Sequence, residues 1–201
     1  MADADILIGP GRLYVAPVAE ANPDDSTVAY NAAWGGNWVD LGDIIEGSPI
    51  VLAINEEITQ VMTEQSTAPK NAVRTSREVT VSATLAEHSV TNMAYVLDGT
   101  AATTAAGASQ KGYSDIPFGS NSDLDFYKFG IEALRKDSSD NNQPVRWFLH
   151  KGYFQLSGDI NYAKSDPTGV PITITILADG TQSAGEELGT LQIVTAAATS
   201  A

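Results

Sequence analysis

The side chains best able to move a proton near neutral pH are two histidines, His88 and His150. An acid–base or nucleophilic centre would need one of them within reach of a serine, a carboxylate or a second base. His88 precedes a stretch with helical spacing and His150 closes a strand-like run, and no serine, carboxylate and histidine stand in a recognisable spacing. Both read as structural residues. The patterns Gly-x-Ser-x-Gly, His-Glu-x-x-His and the phosphate loop are absent.

Other groups invite a ligand and then fail a requirement. Asp137, Asp140, Asn141 and Asn142 offer hard oxygen atoms to a calcium ion, but lack the central glycine and terminal glutamate of an EF-hand loop. They read as a polar hairpin turn, and Asp123 and Asp125 as the solvent side of a strand entrance. Gly9-Pro10-Gly11 precedes a strand, where no helix terminus can cradle a phosphate. Trp34, Trp38 and Trp147 could line a carbohydrate-binding face, yet aromatics at strand positions more often serve core or interface packing. With no cysteine, neither disulfides nor thiolate metal sites are open to the chain. The expectation is a non-enzymatic protein with no catalytic, cofactor or metal site.

Bulk properties agree with a folded structural protein. The 201 residues suit one domain with extended arms, and 43% hydrophobic residues can bury a core. The formal net charge of −14 disfavours binding along a nucleic-acid backbone. No basic and apolar leader opens the sequence, and no stretch reaches the roughly 18 apolar residues of a membrane span. A soluble, unprocessed chain is expected.

The elements that must position these residues are mostly strands. Period-2 alternation marks Arg77 to Ala86, with Val79, Val81, Ala83 and Leu85 on one side. It recurs at Val170, Ile172, Ile174 and Ile176, and at Tyr127, Phe129, Ile131 and Ala133 against Lys128, Gly130 and Glu132. Val145 to Leu149 and Tyr153 to Tyr162 alternate less cleanly, joined at Lys151-Gly152 by a tight turn or a bulge. Arg12 to Ala16 and Ile50 to Met62 add strands, the latter with Ile50, Leu52, Ile54, Ile58 and Met62 at one parity. Thr63 to Ser76 is polar, contains Pro69 and reads as a long mobile hairpin tip. One short helix is expected from Val90, Met93, Ala94 and Leu97, capped by Ser89 and ended by Gly99 as its left-handed residue. The expected fold is mainly β: two packed antiparallel sheets, a sandwich or flattened barrel, with one flanking helix, an extended loop and arms. Such a fold must manage its edge strands, and pairing them between subunits is one solution.

Three segments in order resemble a siphophage tail tube protein: Gly11-Arg12-Leu13-Tyr14-Val15-Ala16-Pro17, Trp38-Val39-Asp40-Leu41-Gly42, and Gly169 to Asp179 with its Val-Pro-Ile-Thr-Ile-Thr-Ile core. The resemblance implies a tube domain over 1–179, with an N-terminal arm at 1–10 and a long hairpin at 50–86, followed by a C-terminal arm at 180–201. It implies stacked hexameric rings whose inner sheets join into a barrel around an acidic channel, with DNA as passing cargo. Inter-ring contact would fall to Thr63, Glu64, Gln65, Ser66, Thr67, Ala68, Pro69, Lys70, Asn71 and Arg74. The implied partners are further copies of the chain, a tape measure protein, a tail terminator and distal tail proteins, with no membrane partner. The implied location is the virion tail, after synthesis in the host cytoplasm. The stretch 98–123 and the arm 180–201 find no counterpart. An adhesive or carbohydrate-binding sandwich is the alternative, and a hydrolase with a dispersed site a more distant one.

Overall fold

The computed structural model describes residues 9–23, 28–62, 64–119, 123–136, 142–164 and 167–195. Along these the order is β1 (Arg12–Pro17), β2 (Val39–Asp40), β3 (Val51–Val61), β4 (Asn71–Leu85), α1 (Val90–Val96), β5 (Ala102–Thr104), β6 (Tyr113–Asp115), β7 (Tyr127–Lys136), β8 (Asn142–Leu156), β9 (Val170–Ile176) and β10 (Gly189–Ile193). Eight strands make one antiparallel sheet in the order β2-β1-β7-β8-β9-β4-β3, with β10 also paired to β8. β5 and β6 form a separate hairpin. The expected mainly antiparallel architecture with one short helix is found, and its two layers are halves of a single continuous sheet.

Alternation explains the folding-over. Leu13 and Val15 of β1, Phe129 and Ile131 of β7, Val79 to Leu85 at alternate positions of β4, and the four aliphatics of β9 all share one buried core. Since β1 and β4 lie in opposite halves, the sheet must curl until both inner faces meet. The curl is then closed by backbone. Leu41 N–H donates to Leu13 C=O at 3.0 Å, Ile45 N–H to Thr84 C=O at 2.9 Å and Ala86 N–H to Asp43 C=O at 2.8 Å. Ile44 bridges Leu85. The segment 41–45 thus ties the β1 side to the β4 side, giving a flattened barrel.

β8 is one strand of 15 residues, so Lys151-Gly152 is no tight turn. The register shifts between Tyr127 and Phe129, where β8 carries an extra residue, which is the bulge alternative. The strand stops at Leu156, short of Tyr162. β10, within the stretch read as a C-terminal arm, pairs with Val145 to Leu149 of β8.

The outer face of β7 departs from expectation. Lys128 and Glu132, which alternate with the apolar stripe, are buried with Arg146: the segment 28–38 lies across Glu132 and Arg146, and Lys128 Nζ donates to the Glu20 carbonyl at 2.8 Å. Trp34 stacks on Tyr14 with ring centroids 4.1 Å apart and meets Trp38 edge-on at 4.9 Å. A Cβ on Gly130 would run into the Trp34 ring, so glycine opens the seat for it. Glu132 accepts from Arg146 Nε at 3.0 Å, Asn31 N–H at 2.9 Å and Trp34 Nε1 at 3.4 Å. Arg146 in turn donates to the Val28 carbonyl at 2.8 Å. Sheet and covering segment are thereby stitched by one buried ion pair.

The helix follows the expected cap, with Asn92 N–H donating to Ser89 Oγ at 3.1 Å. Its end differs. Asp98, with φ of 52°, is the left-handed residue, while Gly99 N–H reaches Ala94 C=O at 3.0 Å. Gly99 is needed because a Cβ there would strike the Pro117 carbonyl. The buried face is also rotated from the expected stripe: Asn92 and Val96 are buried, whereas Val90 is exposed. Asn92 can be buried because its amide donates to Leu41 C=O at 2.8 Å, fastening the helix to the closing segment.

Two outcomes follow. Glu132→Ala leaves Arg146 buried without its counter-charge and should lower unfolding free energy by about 3–5 kcal/mol in denaturant titrations. Burial lowers the His150 pKa and neighbouring Lys128 lowers it further, against weaker opposition from Asp179 and Glu186. A histidine depressed in the folded state protonates first in the unfolded chain, so stability falls as pH drops below about 6.5. His150→Gln should flatten the melting-temperature profile between about pH 7 and 5 relative to the unsubstituted chain.

Candidate assembly surface

β4 pairs with β9 only over Val79 to Leu85, yet continues outward to Asn71. Its residues 71–78 and their partners 55–61 on β3 therefore project from the body as a two-stranded ribbon. Residues 71–76, expected in a mobile tip, are strand, because β3 pairs with them from Asn71 to Arg74 and again at Ser76, with Thr75 as the extra residue of a bulge. Thr75 Oγ1 donates to Glu57 C=O at 3.1 Å across the bulge between Glu57 and Ile58. The tip shortens to residues 62–70, closed by Lys70 N–H on Val61 C=O at 3.0 Å and a Ser66–Ala68 turn.

Of the ten residues expected to contact a neighbouring ring, Glu64 to Lys70 occupy this tip, while Asn71 and Arg74 belong to β4. Thr63 lies outside the described residues. The ribbon brings Arg74 and Arg77 onto Glu56: Arg74 Nε lies 3.2 Å and Arg77 Nε 2.6 Å from its carboxylate. The bond from Arg77, with Arg74 beside it, holds Glu56 below the usual carboxylate range.

The inner parity of β3 carries its apolar residues past the point where the core ends. Ile54, Ile58 and Met62 remain 46%, 56% and 62% exposed, and Val73 on the other face 51%. A free two-stranded ribbon is marginal in water, and one that shows this much aliphatic surface calls for a covering partner. Sequence parity marks Ile54, Ile58 and Met62 as a stripe; the end of β9 opposite Val79 shows where, among the described residues, its cover stops.

The sheet also leaves backbone unpaired. β3 ends the strand path, and among the described residues one edge of its 11 residues has no strand partner. Beyond Gly152, β8 has no strand partner on its β7 side among the described residues.

The residues considered for chemistry are not brought together. His88 is exposed, with Nε2 3.2 Å from the Thr168 carbonyl, while His150 is buried with Nε2 3.4 Å from Thr190 Oγ1. Asp137, Asp140 and Asn141 lie outside the described residues, and Asn142 begins β8. Among the described residues no three metal-ligating side chains gather. Tyr127 Oη donates to Asp125 at 3.4 Å, which ties that carboxylate to the strand start. Trp34 is buried, Trp38 packs on it, and Trp147 sits in a small groove with Leu52, Ile54 and Leu188. A larger hollow of about 410 Å³ is lined by Pro10, Ile44, Ile45, Ile50 and Ile131 with Glu46 as its one carboxylate. It has no convergent acid, base or nucleophile.

No helix among the described residues is long and apolar enough to cross a membrane. No curated protein matches the chain by sequence. The family model described as phage tail tube protein matches residues 2–188, a span that contains every strand described above except the last. A β domain with open sheet edges and an uncovered apolar ribbon fits a subunit that is completed by assembly, and the chain belongs to the phage tail tube protein family.

Proposed function

We propose that this chain forms rings, six subunits to a ring, that stack into the tube of a phage tail around an acidic channel through which DNA passes unbound. The observation that carries this reading is the projecting ribbon and its tip, where Ile58, Met62 and Val73 are left more than half exposed, with Ile54 at the ribbon's base 46% exposed. Obligate subunits commonly bury such surface against sister copies. Open edges on β3 and the end of β8 support the same reading, since edge pairing between copies satisfies backbone groups that water otherwise holds. The hairpin tip, Glu64 to Lys70, together with Asn71 and Arg74, reaches the adjacent ring.

The net charge of −14 supports a wall that does not hold phosphates. A tape measure protein, a tail terminator and distal tail proteins complete the proposed partners, and the subunit is made in the host cytoplasm before incorporation. The adhesive alternative needed an exposed tryptophan platform; Trp34 is buried and neither Trp38 nor Trp147 is fully exposed.

Negative-stain microscopy of the purified chain, or of tails that contain it, should show hollow tubes of uniform diameter; a strictly monomeric chain absent from tails would defeat the proposal. Ile58→Asp with Met62→Asp should shift the isolated subunit's stability by no more than about 0.5 kcal/mol, because both sites are exposed. The same pair should abolish tube formation, scored by microscopy and sedimentation. Tubes of normal length from this variant would remove the ribbon from the interface.

A further inference from the structure

The two outer faces of the folded sheet are built differently. Over β1, β7 and β8 the outer face is sealed by the Trp34 segment and its buried ion pair. Over the other half the outward residues fall in two rows that cross four strands. One row runs Ala53, Thr80, Thr175 and Tyr153; the next runs Val51, Ser82, Thr173 and Gln155. None of the eight is buried, and none is charged. Thr175 Oγ1 donates to Gln155 Oε1 at 3.2 Å, which confirms that the rows share a face.

Charge is confined to the margins of this face. Glu78 and Glu57 follow Thr80 and Ala53 outward along the ribbon at the same parity, opposite Asn55 and Ser76. Arg74 and Arg77 sit on the reverse of the ribbon with Glu56. At the β8 margin, the Lys151 ammonium is placed over the Phe126 ring, 4.5 Å from its centroid.

Such a face suits few roles. A packing interface would carry large apolar or aromatic anchors, and only Val51 and Tyr153 qualify here. A nucleic-acid grip would carry several lysines or arginines. A freely solvated sheet face is usually dressed in mixed charges. Threonine and serine hydroxyls keep a water layer while offering a passing polyanion neither counter-charge nor strong repulsion. The face is also flanked by two edges that are open among the described residues, β3 on one side and Tyr153 to Leu156 of β8 on the other. A sheet continued from copy to copy through those edges must turn this face, opposite the core, to one side of the closed wall.

Resting on the tail tube reading, we propose that the rows Ala53–Thr80–Thr175–Tyr153 and Val51–Ser82–Thr173–Gln155 line the channel. The channel is then walled by neutral, largely hydroxyl-bearing rows, and its negative charge comes from a girdle of Glu57 and Glu78 at the ribbon end of each subunit.

The absence of native cysteine makes the test direct. Ser82→Cys and Thr173→Cys, made singly, are treated in assembled tubes and as free subunits with a small maleimide and with a maleimide on a polymer too bulky to enter the bore. Both reagents should label the free subunits, and only the small one should label the tubes. Labelling of tubes by the bulky reagent at the free-subunit rate would put the face on the tube exterior. Protection from both reagents would bury it between copies. Either result overturns this assignment while leaving the tube intact; a chain that never enters tubes fails the proposed function itself.

Discussion

Every strand in a sheet must find a partner for the N–H and C=O groups on both of its sides, or leave them to water. In this chain that constraint accounts for features that otherwise look unrelated. The two-residue β2 would leave β1 nearly bare, and the segment 41–45 completes the circuit by bonding to Leu13 on one side and to Thr84 and Ala86 on the other. The far side of β8 is shared between β10 over Val145 to Leu149 and β9 from Gly152 onward. Among the described residues the long edge of β3, the last residues of β8 and the outer edge of β10 remain open, and the first two lie at opposite ends of the same half of the sheet.

That division sorts the two halves by role. The half made of β1, β7 and β8 is finished within the subunit, its inner face by the common core and its outer face by the segment 28–38. Burying Glu132 and Arg146 is costly by itself; the pair is tolerable because three donors converge on the carboxylate and the Val28 carbonyl takes up part of the guanidinium. The half made of β9, β4 and β3 is left unfinished, with a bare outer face, a free edge and a ribbon whose aliphatic residues outrun the core. A protein that worked alone would gain stability by covering them. A tail tube subunit can leave that task to its neighbours.

Much of this was legible in the residues. The β9 stripe of Val170, Ile172, Ile174 and Ile176 is buried as its alternation requires, and Ser89 caps the helix as its position suggests. Local pattern failed wherever a distant segment decided the outcome. Lys128 and Glu132 alternate with an apolar stripe and so resemble a solvated face; they are buried because a loop about a hundred residues earlier folds over them. Asn92 breaks the helical stripe yet lies inside it, because a carbonyl at Leu41 receives its amide. Residues 71–76 are polar and read as a tip, but the pairing of β3 carries them into the ribbon. For the ribbon itself, parity identified Ile54, Ile58 and Met62 as belonging together; that β9 stops opposite Val79, level with Ile54, and so leaves Ile58 and Met62 beyond the body, is a property of the register alone.

One difficulty for assembly is that each copy carries −14 and copies must repel. Screening limits that repulsion to about 8–10 Å at moderate salt, so what matters is the charge each contact presents locally. The ribbon's inner face sets one carboxylate, Glu56, against two guanidiniums, Arg74 and Arg77, while Glu64 and Lys70 offset each other at its tip. In the proposed tube it would therefore meet an acidic neighbour as a locally basic and apolar surface, while Glu57 and Glu78 are turned to the other side. An excess of acid over the whole chain and attraction at the proposed contacting face are compatible because the bulge at Thr75 brings Arg74 onto the same side as Arg77, while Glu57 and Glu78 stay on the other.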